Sequence, residues 1–253
     1  RSSSLAGHVS IKGLPDINET IFNADITQLV TSGSDLNALI PQTKVEAVAW
    51  GELKSIRFKG QYSGRVNDFH TKGDLLTSLG NAYVDLDLNL NSKSPVYAGE
   101  IRTENFFLGK LIRQSTIGHV SMNGKINGSG FDLNSLNTKV NATVSKIEID
   151  QIIYRNLTIN GLVSNRKFDG IFVSLDSNMA FNFNGVLDIS GKMPSLHFNS
   201  RILRFDLQKF GLTKESTVIS CLASLNFRGN TIDNFLGEAA LRNIVLHTKD
   251  KTL

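Results

Sequence analysis

The sequence predicts an all-β fold: an elongated antiparallel sheet, bent so that its apolar face lines its own groove, with a few short helical turns. Three observations carry this expectation: period-two alternation of apolar residues along most of the chain, turn-forming clusters at regular spacing, and a weak internal repeat. The alternation is clearest where Ala82, Val84, Leu86, Leu88 and Leu90 alternate with Tyr83, Asp85, Asp87 and Asn89. Successive side chains of a strand point to opposite faces, so this segment has one apolar face and one wet one.

Taken in chain order, the first helical signal is "SDLNALIPQ", with Ser34 or Asp35 as N-cap and Pro41 as stop. After the strand at 82–90, "NFFLGKLIRQ" reads as a single helical turn. Strands follow at Val120, Met122 and Ile126; at Val140, Ala142 and Val144; and at Leu157, Ile159 and Val163. The alternation slips between Val144 and Ile147, where a bulge would change the register. Met179, Phe181, Phe183, Leu187 and Ile189 form the next apolar row, then "RFDLQKFGL" reads as another turn, then Ile219, Cys221, Ala223, Leu225 and Phe227 alternate again. Clusters such as "NGSG", "SNRKFDG", "LDSN" and "ISGK" punctuate these runs as turns, and their spacing implies about 18 to 20 strands.

The repeat relates "YAGEIRTENFFLGKLIRQSTIGHVSMNGK" to "HFNSRILRFDLQKFGLTKESTVISCLASLNF", with an offset of 101 residues from Ser115 to Ser216. A fainter third copy is "FNADITQLVTSGSDLNALIPQTKVEAVAWGEL", and "GHVSIKG" at Gly7 is nearly repeated at Gly118. We therefore expect one continuous unit over 1–253 with repeats of about 100 residues, approximately 1–115 and 116–253. A single-faced apolar sheet hides that face in a sandwich, in a closed barrel or in its own bend, and an elongated repeat fits the bend best. At about 4.8 Å per strand such a sheet extends roughly 90 Å.

Composition narrows the function. With 253 residues, 40% of them apolar, the chain buries a sizeable core. Its 27 basic and 23 acidic residues give +4, scattered through the sequence, which argues against a nucleic-acid footprint. The lone cysteine, Cys221, is expected as a small core hydrophobe. No run approaches the roughly 18 apolar residues of a spanning helix, and the opening "RSSSLAGHVS" reads as the start of an interior piece of a longer protein. Fifteen phenylalanines accompany four tyrosines and one tryptophan, a poor supply for the girdles of a membrane barrel but suited to a dry interior.

No catalytic constellation emerges. His8, His70, His119, His197 and His247 lie far apart without HExxH or CxxC, so no metal or other cofactor is implied. Asp85 and Asp87 belong to a solvated outer face; "GKINGSGF" reads as a turn, and no G-x-S-x-G elbow is present. Asn18, Asn141 and Asn156 begin N-x-Ser/Thr sequons, which Asn- and Thr-rich strands generate readily. The expectation is that the chain is not an enzyme.

From Ile117 to Gly191 the order of motifs, "IGHVSMNGKINGSGFDLNSLNTKVNATVSKIEIDQIIYRNLTINGLVSNRKFDGIFVSLDSNMAFNFNGVLDISG", resembles the central β repeats of TamB-like proteins of the AsmA superfamily. "LNFRGNTIDNFLGEAALRNIVLHTKDKTL" is similar to the stretch preceding that family's carboxy-terminal domain, and the first 115 residues follow the pattern more loosely. The resemblance implies a β-taco fold, a periplasmic location in a Gram-negative bacterium and an inner-membrane anchor outside this chain. It further implies a TamA or BamA-like outer-membrane partner, and a role in moving phospholipid or assisting outer-membrane protein assembly.

The corresponding expectation is a groove that holds phospholipid acyl chains while head groups stay in water. Its lining residues are Val84, Leu86, Leu88, Val120, Met122, Val140, Val144, Ile159, Phe181, Phe183 and Leu225. The same alternation would serve a closed dry core. Two other readings stay open: a scaffold whose sheet edge templates strands of outer-membrane cargo, and an adhesin-like β-sandwich, for which the single Trp50 is thin support.

Overall fold

The computed structural model describes residues 3–39, 48–209, 213–229 and 236–248. Among them are fourteen strands: β1 (Ser4–Lys12), β2 (Ile21–Thr31), β3 (Ile56–Arg65), β4 (Asp68–Thr77), β5 (Gly80–Asn89), β6 (Val96–Phe107), β7 (Ile117–Ser129), β8 (Asn137–Ile149), β9 (Ile152–Ser164), β10 (Lys167–Leu175), β11 (Met179–Asp188), β12 (Ser195–Asp206), β13 (Thr217–Arg228) and β14 (Leu236–Thr248). Each pairs antiparallel with its neighbours in sequence, giving one bent, unclosed sheet in the order β1 to β14. The expected all-β groove architecture is therefore present. Among the described residues helix is confined to α1 (Gly33–Leu39), α2 (Leu108–Leu111) and a 3-10 turn at Trp50–Glu52.

Among the described residues fewer strands form than the turn clusters suggested, because parts of those clusters are absorbed into strand ends and the strands run longer than the cluster spacing implied. Asn127–Ser129 of "NGSG" ends β7, and Lys167–Gly170 begins β10. Strands consequently run 9 to 13 residues, and the stack extends about 60 Å along the hydrogen-bonding direction. The turn that does form in "SNRKFDG" is two residues long. Asn165 and Arg166 have φ of 47° and 62°, the doubly left-handed geometry that matches strand twist in a tight hairpin. Asp150 and Gln151 repeat it between β8 and β9 with φ of 48° and 67°.

Glycine inside these strands serves packing. Gly161, Gly170 and Gly185 are register partners across β9, β10 and β11. A Cβ on Gly161 would stand 2.8 Å from the Phe168 ring, and one on Gly185 would stand 2.7 Å from Phe198 Cβ. The bare backbone leaves room for these two phenyl groups to lie on the apolar face.

Three bulges share one position in the layout. One extra residue enters β2 between Ile26 and Leu29, β6 between Thr103 and Phe106, and β12 between Ile202 and Phe205. Each lies just before the end of a strand that leads into α1, α2 or the hydrogen-bonded turn after Asp206. These are the three segments that align in sequence. The expected slip between Val144 and Ile147 is also present: Ser145 is an extra residue against β7, which keeps Val144 and Ile147 on the same face.

Two helical details differ from expectation. The α1 cap is Ser32, not Ser34 or Asp35: Asp35 N donates to Ser32 Oγ at 3.2 Å and Leu36 N to Ser32 O at 3.1 Å. The hydroxyl lies three residues before the N–H it accepts from, which is the spacing a cap requires. Pro41 lies outside the described residues, as do Phe210, Gly211 and Leu212 of "RFDLQKFGL", whose described part forms a turn.

Candidate apolar groove

Register defines the floor. Val84, Ile101, Gly124, Ala142, Ile159, Phe172, Phe183, Ser200 and Ala223 are successive partners across β5 to β13 and occupy one row. Leu86 and Leu88 lie two and four residues along β5 from this row, and Met122, Val140, Val144, Phe181 and Leu225 each lie two residues from it. Val120 lies two residues beyond Met122 and packs with Val144 and Met122. Period two therefore puts all eleven expected lining residues on one face. Nine are half-buried, whereas Val120 and Val144 are 3% exposed and belong to a dry cluster with Tyr154 and Leu157.

One rim of the floor is covered. Gly33 N donates to Leu53 O at 2.7 Å and Ala49 N to Leu111 O at 2.8 Å, tying α1, the 3-10 turn and α2 into a continuous cap between the β2–β3 and β6–β7 connections. Leu36, Trp50, Leu53, Leu108 and Leu111 face Ile56, Leu75, Ala82, Val84, Ile101, Phe106, Val120 and Met122 across a cavity of about 340 Å³. Thr77 and Thr103 also line it, but their hydroxyls donate to Gly80 O at 2.8 Å and Val120 O at 3.1 Å. The accessible wall is therefore apolar. At roughly 30 Å³ per heavy atom, the cavity accommodates about ten methylene-sized groups.

The sequence reading found Val84, Val120 and Met122 of this chamber but missed the cap side chains. Leu108 and Leu111 stand at i and i+3 within an expected helical turn, the spacing that puts both on one side, so a signal existed. Leu36 and Leu53 had none beyond their neighbourhood. Trp50, set aside as a lone tryptophan, lines the chamber, and its buried Nε1 has no hydrogen-bond partner among the described residues.

Beyond the cap the floor becomes aromatic. Ring centroids are 6.1 Å apart for Phe168 and Phe183, 4.7 Å for Phe183 and Phe198, and 5.6 Å for Phe172 and Phe181. All five rings are half-buried. Cys221 is buried on the same face, opposite Ile202, and burial pushes its thiol above the ordinary range.

The other face is polar. Lys72 Nζ meets Asp85 Oδ2 at 2.8 Å, and His70 lies between Asp85 at 3.3 Å and Asp87 at 2.9 Å. The Lys72 hydrogen bond holds the Asp85 carboxyl below the usual carboxylate range, and the same contact raises Lys72. His119 pairs with Glu148 at 3.3 Å and holds that carboxyl low through side-chain and backbone hydrogen bonds. Arg102 stacks over the Tyr83 ring at 4.3 Å. These pairs neutralise exposed strands; His70 and Asp87 line one shallow depression and Tyr83 and Arg102 another, both open to solvent. Among the described residues, no three His, Cys, Asp or Glu side chains are grouped to hold a metal ion.

No family model, curated protein or solved structure matches the chain.

Proposed function

We propose that this chain is the groove of a TamB-like periplasmic bridge that conducts phospholipid between the inner and outer membranes, assists outer-membrane protein assembly, or does both. The observation that supports the reading is a face carried in register through nine consecutive strands on which nine of the eleven apolar lining residues are half-buried rather than sealed. A closed sandwich core would seal them. At about 0.8 kcal/mol per buried CH₂, half of a sixteen-carbon chain gains on the order of 6 kcal/mol, which holds a lipid while apolar walls let it slide. Catalysis and bound cofactors have no part in this mechanism. A TamA or BamA-like partner would engage regions outside this chain.

The test is native mass spectrometry with lipid extraction on protein purified without detergent, beside Phe183→Asp and Leu225→Asp. Phospholipid should accompany the parent and be lost from both variants while their far-ultraviolet circular dichroism stays unchanged. A lipid-free parent sinks the conduit. It would favour a second reading, a scaffold for cargo strands, for which the support is that among the described residues β14 pairs with β13 alone and nearly all of its residues are exposed.

A further inference from the structure

Among the described residues the capped chamber is closed on two sides and open on a third. Leu53, Ile56 and Phe106 are buried together with Leu79 and shut it at the strand ends, while Val120, in the dry cluster with Val144, shuts it toward β8. On the remaining side Val84 and Ile101 are half-buried, and β5 continues from Val84 to Leu86 and Leu88, also half-buried and on the same face. The chamber therefore opens onto the floor of the groove.

Its wall offers nothing to water or to a polar group. Thr77 Oγ1 donates to Gly80 O and accepts from Leu79 N at 3.1 Å, and Thr103 Oγ1 donates to Val120 O and accepts from Met122 N at 3.3 Å, so both hydroxyls are occupied. A water in a cavity needs about two to four polar partners, and an apolar occupant is the one that gains here. Nor can the roof drop to fill the space. A Cβ on Gly33 would fall against Trp50 O and one on Gly109 against Ile117 O, so α1 rests on the 3-10 turn and α2 on the start of β7 with backbone against backbone.

We propose that the chamber is a blind pocket for the methyl end of one unbranched alkyl chain and holds about ten carbons of it, the number its volume of about 340 Å³ accommodates. This rests on the groove reading and adds a single-chain, length-limited binding site to it. The rest of the chain leaves past Val84 along Leu86 and Leu88, a lane one side chain wide that a linear molecule can follow. A charged end group stays outside, because the chamber has no partner for it and burial of an unpaired charge is strongly unfavourable. Each methylene that enters the sealed part exchanges water for hydrocarbon completely, whereas one lying on the half-buried floor does so only in part. Affinity should therefore climb steeply with chain length until the chamber is full and shallowly after that.

The experiment titrates the intact chain with straight-chain alkanoates from hexanoate to tetradecanoate, below their critical micelle concentrations. It follows the fluorescence of Trp50, the one tryptophan in the sequence and a chamber-lining residue. Affinity should rise about fourfold per added carbon up to about ten carbons, and by less than about twofold per carbon beyond. Decanedioate, which carries a second carboxylate where decanoate has its methyl group, should bind at least about tenfold more weakly than decanoate. Ala82→Leu puts about three carbons into the chamber and should bring the break to about seven; Leu111→Ala removes about three and should move it to about thirteen. A slope unbroken through tetradecanoate, a break that stays in place in both variants, or equal binding of decanoate and decanedioate overturns the pocket and leaves the groove standing. If no alkanoate binds, the pocket falls alone where phospholipid still accompanies the purified protein, and pocket and groove fall together where it does not.

Discussion

Substituting aspartate into the floor should have opposite consequences at two positions of similar sequence character. Val144 is 3% exposed, packed with Val120, Tyr154 and Leu157. A carboxyl there meets no water, and burial of that kind raises a carboxyl pKa by up to about 3 to 5 units. Because the buried carboxyl stays protonated once its folded pKa exceeds the ambient pH, the cost of Val144→Asp saturates at 1.36 kcal/mol for each unit between about 3.9 and 7, roughly 4 kcal/mol at neutral pH, a large part of the stability of about 5 to 15 kcal/mol of an ordinary domain. Phe183 is half-buried and touches Phe168 and Phe198. Its aspartate reaches solvent, and the expected loss is about 1 to 2 kcal/mol of aromatic packing. Because the folded-state pKa at position 144 is raised, the carboxyl is tolerated below its unfolded pKa near 3.9, and stability falls as pH rises from there through the folded pKa. Val144→Asn has the shape without the charge. Urea unfolding followed by circular dichroism should show Val144→Asp and Val144→Asn close together at pH 4 and well separated at pH 7.5. An equal gap at both pH values, or equal destabilisation by Val144→Asp and Phe183→Asp, would refute the division of the floor into a sealed part and an open part.

Tyr97→Phe should cost about 1 to 2 kcal/mol, because the buried hydroxyl donates to Gly130 O at 2.8 Å and lies 2.6 Å from Thr138 Oγ1; an unchanged urea midpoint counts against that bond. Asp85→Asn should narrow the pH dependence of stability. The depressed folded pKa of Asp85 means that its contribution is present above the unfolded pKa and lost as pH falls through the folded one. Parent and variant should therefore differ at pH 7 and converge near pH 2, and a constant difference would exclude the Lys72 pair as its source. Gly109→Ala places a Cβ against Ile117 O, so α2 must shift at an expected cost of about 1 to 3 kcal/mol. Trp50 fluorescence should change with it, since α2 and Trp50 line the same chamber; an unaltered spectrum would show that the cap does not move as one piece.

The apolar face was legible because period two needs only the local order of residues. Val84, Leu86 and Leu88 declare their face within five residues, and the register then carries that assignment from strand to strand. Sealed and open positions were not legible. Val144 and Val140 read alike in sequence, but Val144 sits beside the Ser145 bulge, where Ile147 and Tyr154 close over it, while Val140 lies opposite Gly161. The chamber was equally hidden, because it depends on three segments distant in sequence, around Leu36, Trp50 and Leu108, being held together by hydrogen bonds between backbones. Strand length was hidden for a related reason: glycine in "NGSG" signals a turn locally, and only the partner strand decides that Gly128 still lies within a strand, beside Thr138, so strands came out longer and fewer.

Bulge and cap together explain how a single sheet acquires an interior. An antiparallel meander has no second layer to bury its apolar face, so something must bring that face toward itself or cover it. A bulge adds twist and bends the strand that carries it. The bulges in β2 and β6 stand immediately before the chain leaves the sheet into α1 and α2. The bent strand ends direct those helices over the floor, where Leu36, Leu108 and Leu111 replace the missing layer. The third bulge, in β12, leads only to a short turn among the described residues, which place no cap over the aromatic floor beside it. Two connections thus divide one continuous face into a roofed apolar chamber and, among the described residues, an open aromatic trough.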